Sequence, residues 1–201
     1  MVFARAPRAG QVKTRIARRI GDAPAARLHE RLVRTALARA RAARCGPVEL
    51  HASEPHGFFR MLGMPMRRQR GSDLGSRMHY ALQRALRRHR RAVLIGSDCP
   101  ALKPRDIARA ARWLHGGADV VLAPAEDGGY ALIAARRITP GVFAAVEWGG
   151  DRVLAQTRAN LLRAGLTVRL LPVVWDVDRP EDLERLRSRP LALVAPRVAR
   201  R

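Results

Sequence analysis

Short apolar runs of β type alternate along the chain with longer segments in which apolar residues recur at helical spacing. The runs predict strands at Val2–Ala4, Val48–Ala52, Ala92–Ile95, Val120–Ala123, Tyr130–Ala134 and Val168–Trp175. The amphipathic segments predict helices at Ala25–Ala43, Leu74–Arg88, Pro104–His115, Asp151–Ala164 and Pro180–Arg187. This alternation predicts an α/β fold, a single Rossmann-like domain with a mostly parallel central sheet flanked by helices.

The length of 201 residues fits one domain, which we place at 1–187, followed by a basic tail at 188–201. No apolar run is long enough to cross a membrane, and the charged start does not read as a signal peptide, so we expect a cytoplasmic protein. The first predicted strand is short, which leaves open whether the chain starts further upstream. Oligomeric state is not readable from these residues.

The chain is strongly basic, with 39 Lys and Arg against 17 Asp and Glu and a formal net charge of +22. Only Lys13 and Lys103 are lysines, and the arginines are spread over nearly every predicted helix. This dispersal is typical of a compositional bias, so we expect salt-sensitive, nonspecific polyanion binding rather than a specific nucleic-acid partner. The same positive charge would also attract anionic substrates such as nucleotides.

Acidic residues follow three of the predicted strands, where open parallel sheets carry their ligand sites. Asp98 follows the strand at Ala92, Glu126 and Asp127 follow the strand at Val120, and Asp176 and Asp178 follow Trp175. Each of them alone could cap the next helix, and for Asp178, just before Pro180, capping is a serious alternative. Three acidic ends at one sheet edge favour a divalent-cation site.

Mg²⁺ or Mn²⁺ suits such a site, because hard cations bind carboxylate oxygens together with substrate phosphates. No histidine accompanies these carboxylates locally, so zinc is not expected, and His29, His79 and His115 are predicted to be surface or packing residues. Cys45 and Cys99 are too few and too far apart for a metal cluster, and we expect buried free thiols.

Two glycine-bearing loops are candidates for anion or nucleotide contact. After the first strand, Gly10 allows close backbone approach to an anion, and Lys13 and Arg15 supply positive charge. The second loop, Arg70–Met78, is either an ordinary turn with Asp73 as helix cap or a segment beside a nucleotide base.

Several stretches together resemble the radical-SAM/selenodomain-associated transferases, some of them arsenosugar-biosynthesis glycosyltransferases, in the nucleotide-diphospho-sugar transferase superfamily of GT-A fold. The matching stretches are Phe3–Ala17, Gly71–Met78, Gly96–Leu102, Val120–Leu132, Glu147–Thr157 and Asp176–Leu183. The resemblance implies a nucleotide site at Ala4, Pro7, Gly10, Lys13, Arg15, Gly71, Asp73 and Gly75. It also implies metal ligation by Asp98 and Asp178.

The resemblance implies a glycosyltransferase that uses a nucleotide-sugar donor and a small acceptor. Lys13 and Arg15 would stabilise the departing diphosphate, and Asp127 is the candidate base, with Gly128-Gly129 leaving space for a substrate beside it. Glu126, Asp127, Gly128, Gly129, Tyr130 and Trp148 are the predicted substrate-binding residues. For the 126–129 loop the alternative is a plain turn, and for Trp148 it is core packing.

A single aspartate in Gly96-Ser97-Asp98-Cys99-Pro100, instead of the usual Asp-x-Asp, looks more like guanylyltransferases for molybdenum cofactor or phospholactate. The second hypothesis is therefore a guanylyl- or cytidylyltransferase that uses a nucleoside triphosphate and a phosphorylated metabolite. A non-enzymatic polyanion-binding protein is the third, and it gives no account of the acidic strand ends.

Overall fold

The computed structural model describes residues 1–188 and contains a seven-stranded sheet of order β3-β2-β1-β4-β6-β5-β7. The strands are β1 Val2–Ala4, β2 Leu50–Ala52, β3 Met66–Arg68, β4 Ala92–Gly96, β5 Val120–Pro124, β6 Tyr130–Ala135 and β7 Val168–Leu170. In this sheet β6 is antiparallel to its neighbours β4 and β5, and the other pairs are parallel. The predicted mostly parallel α/β architecture is confirmed.

The helices lie between the strands in the order expected for crossover connections. They are α1 Thr14–Ile20, α2 Asp22–Ala42, α3 Gly57–Arg60, α4 Leu74–Leu86, α5 Pro104–His115, α6 Val153–Arg163 and α7 Pro180–Ser188, with a 3₁₀ turn at Pro140–Phe143. The start and end of α5 agree with the prediction, whereas α1, α3 and β3 were not predicted. These three elements are short, so their periodicity is too brief to separate them from loops.

The last strand is shorter than the predicted Val168–Trp175. Its regular pairing with β5 ends at Leu170, and Pro172, two residues on, has no N–H to donate to the neighbouring strand. The chain then returns to the sheet at a single bridge between Val174 and Ala125. This return carries the segment after Trp175 towards the end of β5.

Strand alternation divides the core between the two faces of the sheet. In β1, Val2 and Ala4 belong to the cluster beneath α2 and α5, whereas Phe3 belongs to the cluster beneath α4 and α6. In β5, Val121 lies in the first cluster and Val120 in the second. Both faces of the central strands are therefore covered, as is usual in parallel sheets.

A buried carboxylate fixes the start of β5. The Asp119 side chain is 3% exposed and accepts hydrogen bonds from Thr167 N and Oγ1, both at 3.0 Å. Arg136 Nε and Arg137 Nε also donate to it at 3.0 Å. These bonds join the beginnings of β5 and β7 to the end of β6.

Two predictions need correction or fall outside the structure. Cys99 is buried as expected, but Cys45 is exposed, because it lies in the turn that follows α2 instead of in the core. The predicted tail, 188–201, lies outside the described residues apart from Ser188, and the bounds of the domain stay a prediction. None of the helices in the described part of the chain is both long and apolar enough to span a membrane.

Candidate nucleotide and metal site

The three acidic strand ends come together at one edge of the sheet. Glu126 N donates to Val174 O at 3.0 Å, which joins the end of β5 to the segment after β7. Val177 N donates to Asp98 O at 2.9 Å, which joins that segment to the end of β4. The chain segments that carry Asp98, Glu126 and Asp178 are therefore hydrogen-bonded neighbours although they are far apart in sequence.

The Asp98 side chain is half-exposed, but its Oδ1 atom is buried between two basic groups. Lys13 Nζ lies 2.6 Å from this oxygen and His29 Nδ1 lies 3.6 Å from it. Burial alone would raise the pKa of Asp98, but Lys13 and His29 outweigh burial and hold this pKa well below its usual range. Asp98 is therefore a carboxylate at neutral pH.

Lys13 is held between the end of β4 and the segment that follows β7. Its side chain is 5% exposed, and besides Asp98 its Nζ donates to the carbonyl of Val177 at 2.6 Å. The residue precedes α1 with φ +52°, in the left-handed region, which costs a non-glycine residue about 1 kcal/mol. This backbone turn directs the ammonium group towards the carboxylate edge and leaves it one further N–H to donate.

His29 is a site residue that the sequence did not reveal. We expected the histidines to be surface or packing residues, yet His29 on α2 is buried, with Nε2 3.0 Å from Arg5 O and Nδ1 facing Asp98. The helix brings it to the strand end from 69 residues away, a proximity that no local pattern signals.

Arg15 and Asp178 form an ion pair on the surface of the site. Within residues 1–188 no first-turn N–H of α7 donates to the Asp178 side chain, so the capping alternative for Asp178 is wrong. Asp182 Oδ2, in the first turn, instead accepts the N–H groups of Arg179 at 2.7 Å and Asp178 at 2.9 Å, just before the helix. Both Asp178 and Arg15 are left on the rim of the carboxylate edge.

Asp176 is a second residue absent from the predicted site. Burial raises its pKa to about 6, and repulsion from Asp127 and Asp178 adds to this effect, whereas Lys13 opposes it. Asp176 and Asp178 lie in the segment that is hydrogen-bonded to the ends of β4 and β5, and Asp127 lies in the turn after β5, so the three carboxylates lie near the same sheet edge. The only sequence signal for Asp176 was its position among the acidic residues that follow Trp175. Nothing among those residues distinguished Asp176 from Asp178.

The residues present fit a hard cation only in part. The described residues contain no group of three or more His, Cys, Asp or Glu side chains arranged to hold a metal ion. Asp98 and Asp178, the predicted ligands, each face a basic side chain. The mutual repulsion at Asp176, however, is what a divalent cation relieves, and Mg²⁺ usually takes one or two carboxylates plus phosphates and waters.

The loop after β1 presents basic side chains on a firmly packed base. Gly10 has φ +76°, and Ala6 N donates to Ser53 Oγ at 3.0 Å. Ala4 and Pro7, two of the predicted nucleotide-binding residues, are buried, and the Ala4 carbonyl accepts the N–H of Ser53 at 2.9 Å. The exposed charges near the loop belong to Arg5, Arg8 and Arg15, and Arg8 is paired with Glu54.

The second loop opens α4 with a reciprocal cap. Asp73 Oδ1 accepts Ser76 N at 2.8 Å, and Ser76 Oγ accepts Asp73 N at 3.1 Å, so Asp73 is a helix cap. A Cβ built on Gly75 would lie 2.7 Å from the Trp148 ring. Trp148 is half-buried there and packs on the core at Phe143, with ring centroids 6.2 Å apart.

The 126–129 segment forms a tight turn between β5 and β6. Asp127 Oδ1 accepts Gly129 N at 2.9 Å, and a Cβ on Gly128 would lie 1.9 Å from the carbonyl oxygen of Asp151. The expectation that Gly128 leaves space for a substrate is therefore wrong, because the backbone of Asp151 fills that space. Two other residues predicted to bind substrate are also engaged or buried. The Glu126 carboxylate accepts hydrogen bonds from the Arg185 guanidinium at 2.6 and 2.8 Å, and the Tyr130 hydroxyl is buried.

Residues 25–150 match the family model described as "Uncharacterized protein conserved in bacteria (DUF2064)". The chain belongs to the DUF2064 family. A solved structure of a candidate nucleotide-diphospho-sugar transferase from Desulfovibrio desulfuricans G20 is 30% identical to this DUF2064 protein, with TM-score 0.85. The alignment covers 96% of this chain and 87% of that chain. No curated protein matches the sequence.

More distant structures share the fold of this DUF2064 protein. CMP:2-keto-3-deoxy-manno-octonic acid synthetase complexed with CTP is 14% identical over 94% of this chain and 96% of that chain, with TM-score 0.63. Rv0371c from Mycobacterium tuberculosis H37Rv, complexed with manganese, is 22% identical over 92% and 95%, with TM-score 0.53. The GT-A-like architecture is thereby confirmed.

Proposed function

We propose that this DUF2064 protein is a transferase that uses a nucleotide-activated donor, and that it moves a sugar from a nucleotide-sugar to a small acceptor. The observation that carries the proposal is the gathering of Asp98, Asp127 and Asp176 with Lys13 and Arg15 at one edge of the mostly parallel sheet. The name of the Desulfovibrio relative supports the same class of donor. The arsenosugar-type resemblance supports glycosyl transfer in particular.

In this proposal the basic groups hold the donor diphosphate. Arg15 lies on the rim with 61% of its side chain exposed, and it can exchange its surface pair with Asp178 for a phosphate at small cost. Lys13 keeps Asp98 in place and offers its remaining N–H to the leaving group. The backbone around Gly10 would contact the phosphates, and the 71–75 loop would lie beside the base.

A bound Mg²⁺ or Mn²⁺ would neutralise the departing diphosphate, with Asp98 and Asp178 as the proposed ligands and Asp176 beside them. Asp127 is the proposed base, because the turn after β5 presents its carboxylate close to Asp176. Glu126, paired with Arg185, would shape the acceptor side rather than move a proton. Trp148 would separate the 71–75 loop, which lies beside the nucleotide base, from the acceptor.

Nucleotidyl transfer is the second candidate, favoured by the single aspartate at Asp98. A phosphorylated acceptor arrives ionised, so this reaction needs charge neutralisation and alignment but no protein base. Replacing Asp127 by Asn separates the two candidates: glycosyl transfer would fall by about a hundredfold or more, whereas nucleotidyl transfer would be little changed. Glu30→Gln, on α2, is the control for loss of one carboxylate.

The first experiment is a thermal-shift panel of nucleoside triphosphates and nucleotide-sugars, with and without Mg²⁺ or Mn²⁺. Binding to the native state raises the melting temperature. We expect a metal-dependent rise that is larger with nucleotide-sugars and absent in Asp98→Asn. A larger rise with triphosphates would favour nucleotidyl transfer. If no nucleotide gives a metal-dependent rise in melting temperature, the proposed donor site is wrong, and polyanion binding becomes the better proposal for the function.

A further inference from the structure

A second concave surface lies at the opposite edge of the sheet from the carboxylates. It is a cavity of about 890 Å³, lined by residues that enter β2 and β4 and by the C-terminal ends of α2, α4 and α5. In crossover connections, helices end at the edge where the next parallel strand begins. The cavity is therefore separate from the proposed donor site.

The lining of this cavity carries a large excess of positive charge. Six of its arginines form no ion pair within residues 1–188: Arg44, Arg84, Arg88, Arg90, Arg91 and Arg112. Glu49, which also lines the cavity, is already taken by Arg67, with Nε 3.0 Å from its carboxylate. The cluster of guanidinium groups thus lacks counter-charge in the described part of the chain.

A buried histidine also lines the cavity. The His51 side chain is 4% exposed, and its Nε2 lies 3.4 Å from the Glu49 carboxylate oxygen that Arg67 also contacts. Glu49 is therefore shared by His51 and Arg67 and leaves the other arginines of the cavity without a counter-charge. His51 lies in β2, and the apolar residues Ala92, Val93 and Ile95 of β4 also line the cavity.

We propose that this cavity is a second binding site, for a small organic molecule that carries several phosphate groups. The arginines would bind the phosphates through paired N–H groups. The apolar residues and His51 would contact the uncharged part of the molecule. The volume lies within the roughly 300–1,000 Å³ of small-molecule sites. A cavity of this volume suits a small ligand, whereas a nucleic-acid strand needs a longer track.

Cys45 provides a built-in reporter for this site. Its thiol is exposed and lines the cavity, whereas Cys99 is buried. Burial raises the pKa of Cys45, and the nearby Arg112 and Arg91 oppose that rise, which places both arginines within electrostatic reach of the sulfur. A ligand bound to these arginines would shield the thiol from reagents.

The test measures the rate at which neutral iodoacetamide labels Cys45, followed by mass spectrometry, with inorganic tripolyphosphate as the probe at constant ionic strength. We expect labelling to slow about tenfold when the probe is at roughly ten times its dissociation constant. Arg91→Ser with Arg112→Ser should abolish this slowing. Arg27→Ser with Arg158→Ser removes the same charge from exposed positions elsewhere and should keep it.

Three results would overturn the proposal. The first is that tripolyphosphate does not slow labelling. The second is that both double variants lose the slowing equally, which would show a diffuse positive field instead of a site. The third is that a DNA or RNA oligonucleotide protects Cys45 at phosphate concentrations where tripolyphosphate does not, which would identify a nucleic-acid surface. If Arg91→Ser with Arg112→Ser fails to fold, Arg88→Ser with Arg90→Ser, at exposed positions after α4, replaces it.

Discussion

Lys13 and Asp98 depend on each other, because each compensates a charge that burial would otherwise penalise. Replacing Lys13 by Met leaves the buried Oδ1 of Asp98 without its closest cation and should lower the free energy of unfolding by about 3 kcal/mol. Adding Asp98→Asn to Lys13→Met should restore most of this loss. Chemical denaturation of the single and double variants measures both changes.

The matched control is Lys103→Met, which removes the other lysine from an exposed position. It should change the free energy of unfolding by no more than about 0.5 kcal/mol. Equal effects at Lys13 and Lys103, or additive losses in the double variant, would contradict the coupling of Lys13 with Asp98.

Replacing Gly128 and, separately, Gly149 by alanine compares two costs that bear on the 126–129 turn. One is the cost of the close contact with Asp151, and the other is the cost of a positive φ alone. Both glycines have positive φ, +85° and +91°, but only Gly128 has a neighbour that a Cβ would strike. We expect Gly149→Ala to cost about 1 kcal/mol from backbone strain. Gly128→Ala should cost clearly more, because the chain at Asp151 must move. Equal melting temperatures for the two variants would show that the turn yields easily.

At the scale of elements, Asp119 is the clearest contributor to stability. Its hydrogen bonds hold its pKa at about 2, below the 3.8 of an unperturbed aspartate, even though burial alone would raise it. A carboxyl group with a lowered pKa stabilises the fold above its unfolded pKa and loses that effect as pH falls through its folded pKa. Between pH 4 and 2 the protein should therefore lose about 2 kcal/mol of stability from this group.

Asp119→Asn should remove this part of the pH dependence and reduce stability at pH 7, where the arginines and Thr167 lose a charged acceptor. Urea denaturation at a series of pH values measures it. Asp151→Asn, at an exposed position, is the control and should follow the parent curve. A parallel curve for Asp119→Asn would show that the titrating group lies elsewhere.

The sequence predicted those elements whose patterns are long, and it placed the acidic residues at one edge because parallel strands end together. It did not predict the direction of β6, since apolar alternation is the same in both directions. His29 and the orientation of Lys13 were also out of reach, because they depend on how α2 and a left-handed turn meet β4. The space beside Gly128 could not be judged without the position of Asp151.

At the scale of the whole molecule, the charge of +22 predicts two kinds of binding that salt separates. Nonspecific binding to duplex DNA should weaken steeply, by about a thousandfold between 50 and 200 mM salt if six phosphates are neutralised. The proposed metal-dependent nucleotide binding would rely on fewer, partly buried contacts and should weaken much less. Titrations of DNA and of nucleotide at about 50 and 200 mM salt check this. Equal salt dependence would show that the overall positive charge of the protein drives both kinds of binding.

The bond from Lys13 Nζ to Val177 O joins residues 164 positions apart in the chain. During synthesis the ribosome releases Lys13 and Asp98 long before the segment from Asp176 to Asp178 has left the exit tunnel. The carboxylate edge therefore cannot be completed until the segment from Asp176 to Asp178 has left the tunnel. A product truncated before Trp175 would keep most of the sheet yet lack one side of the proposed donor site.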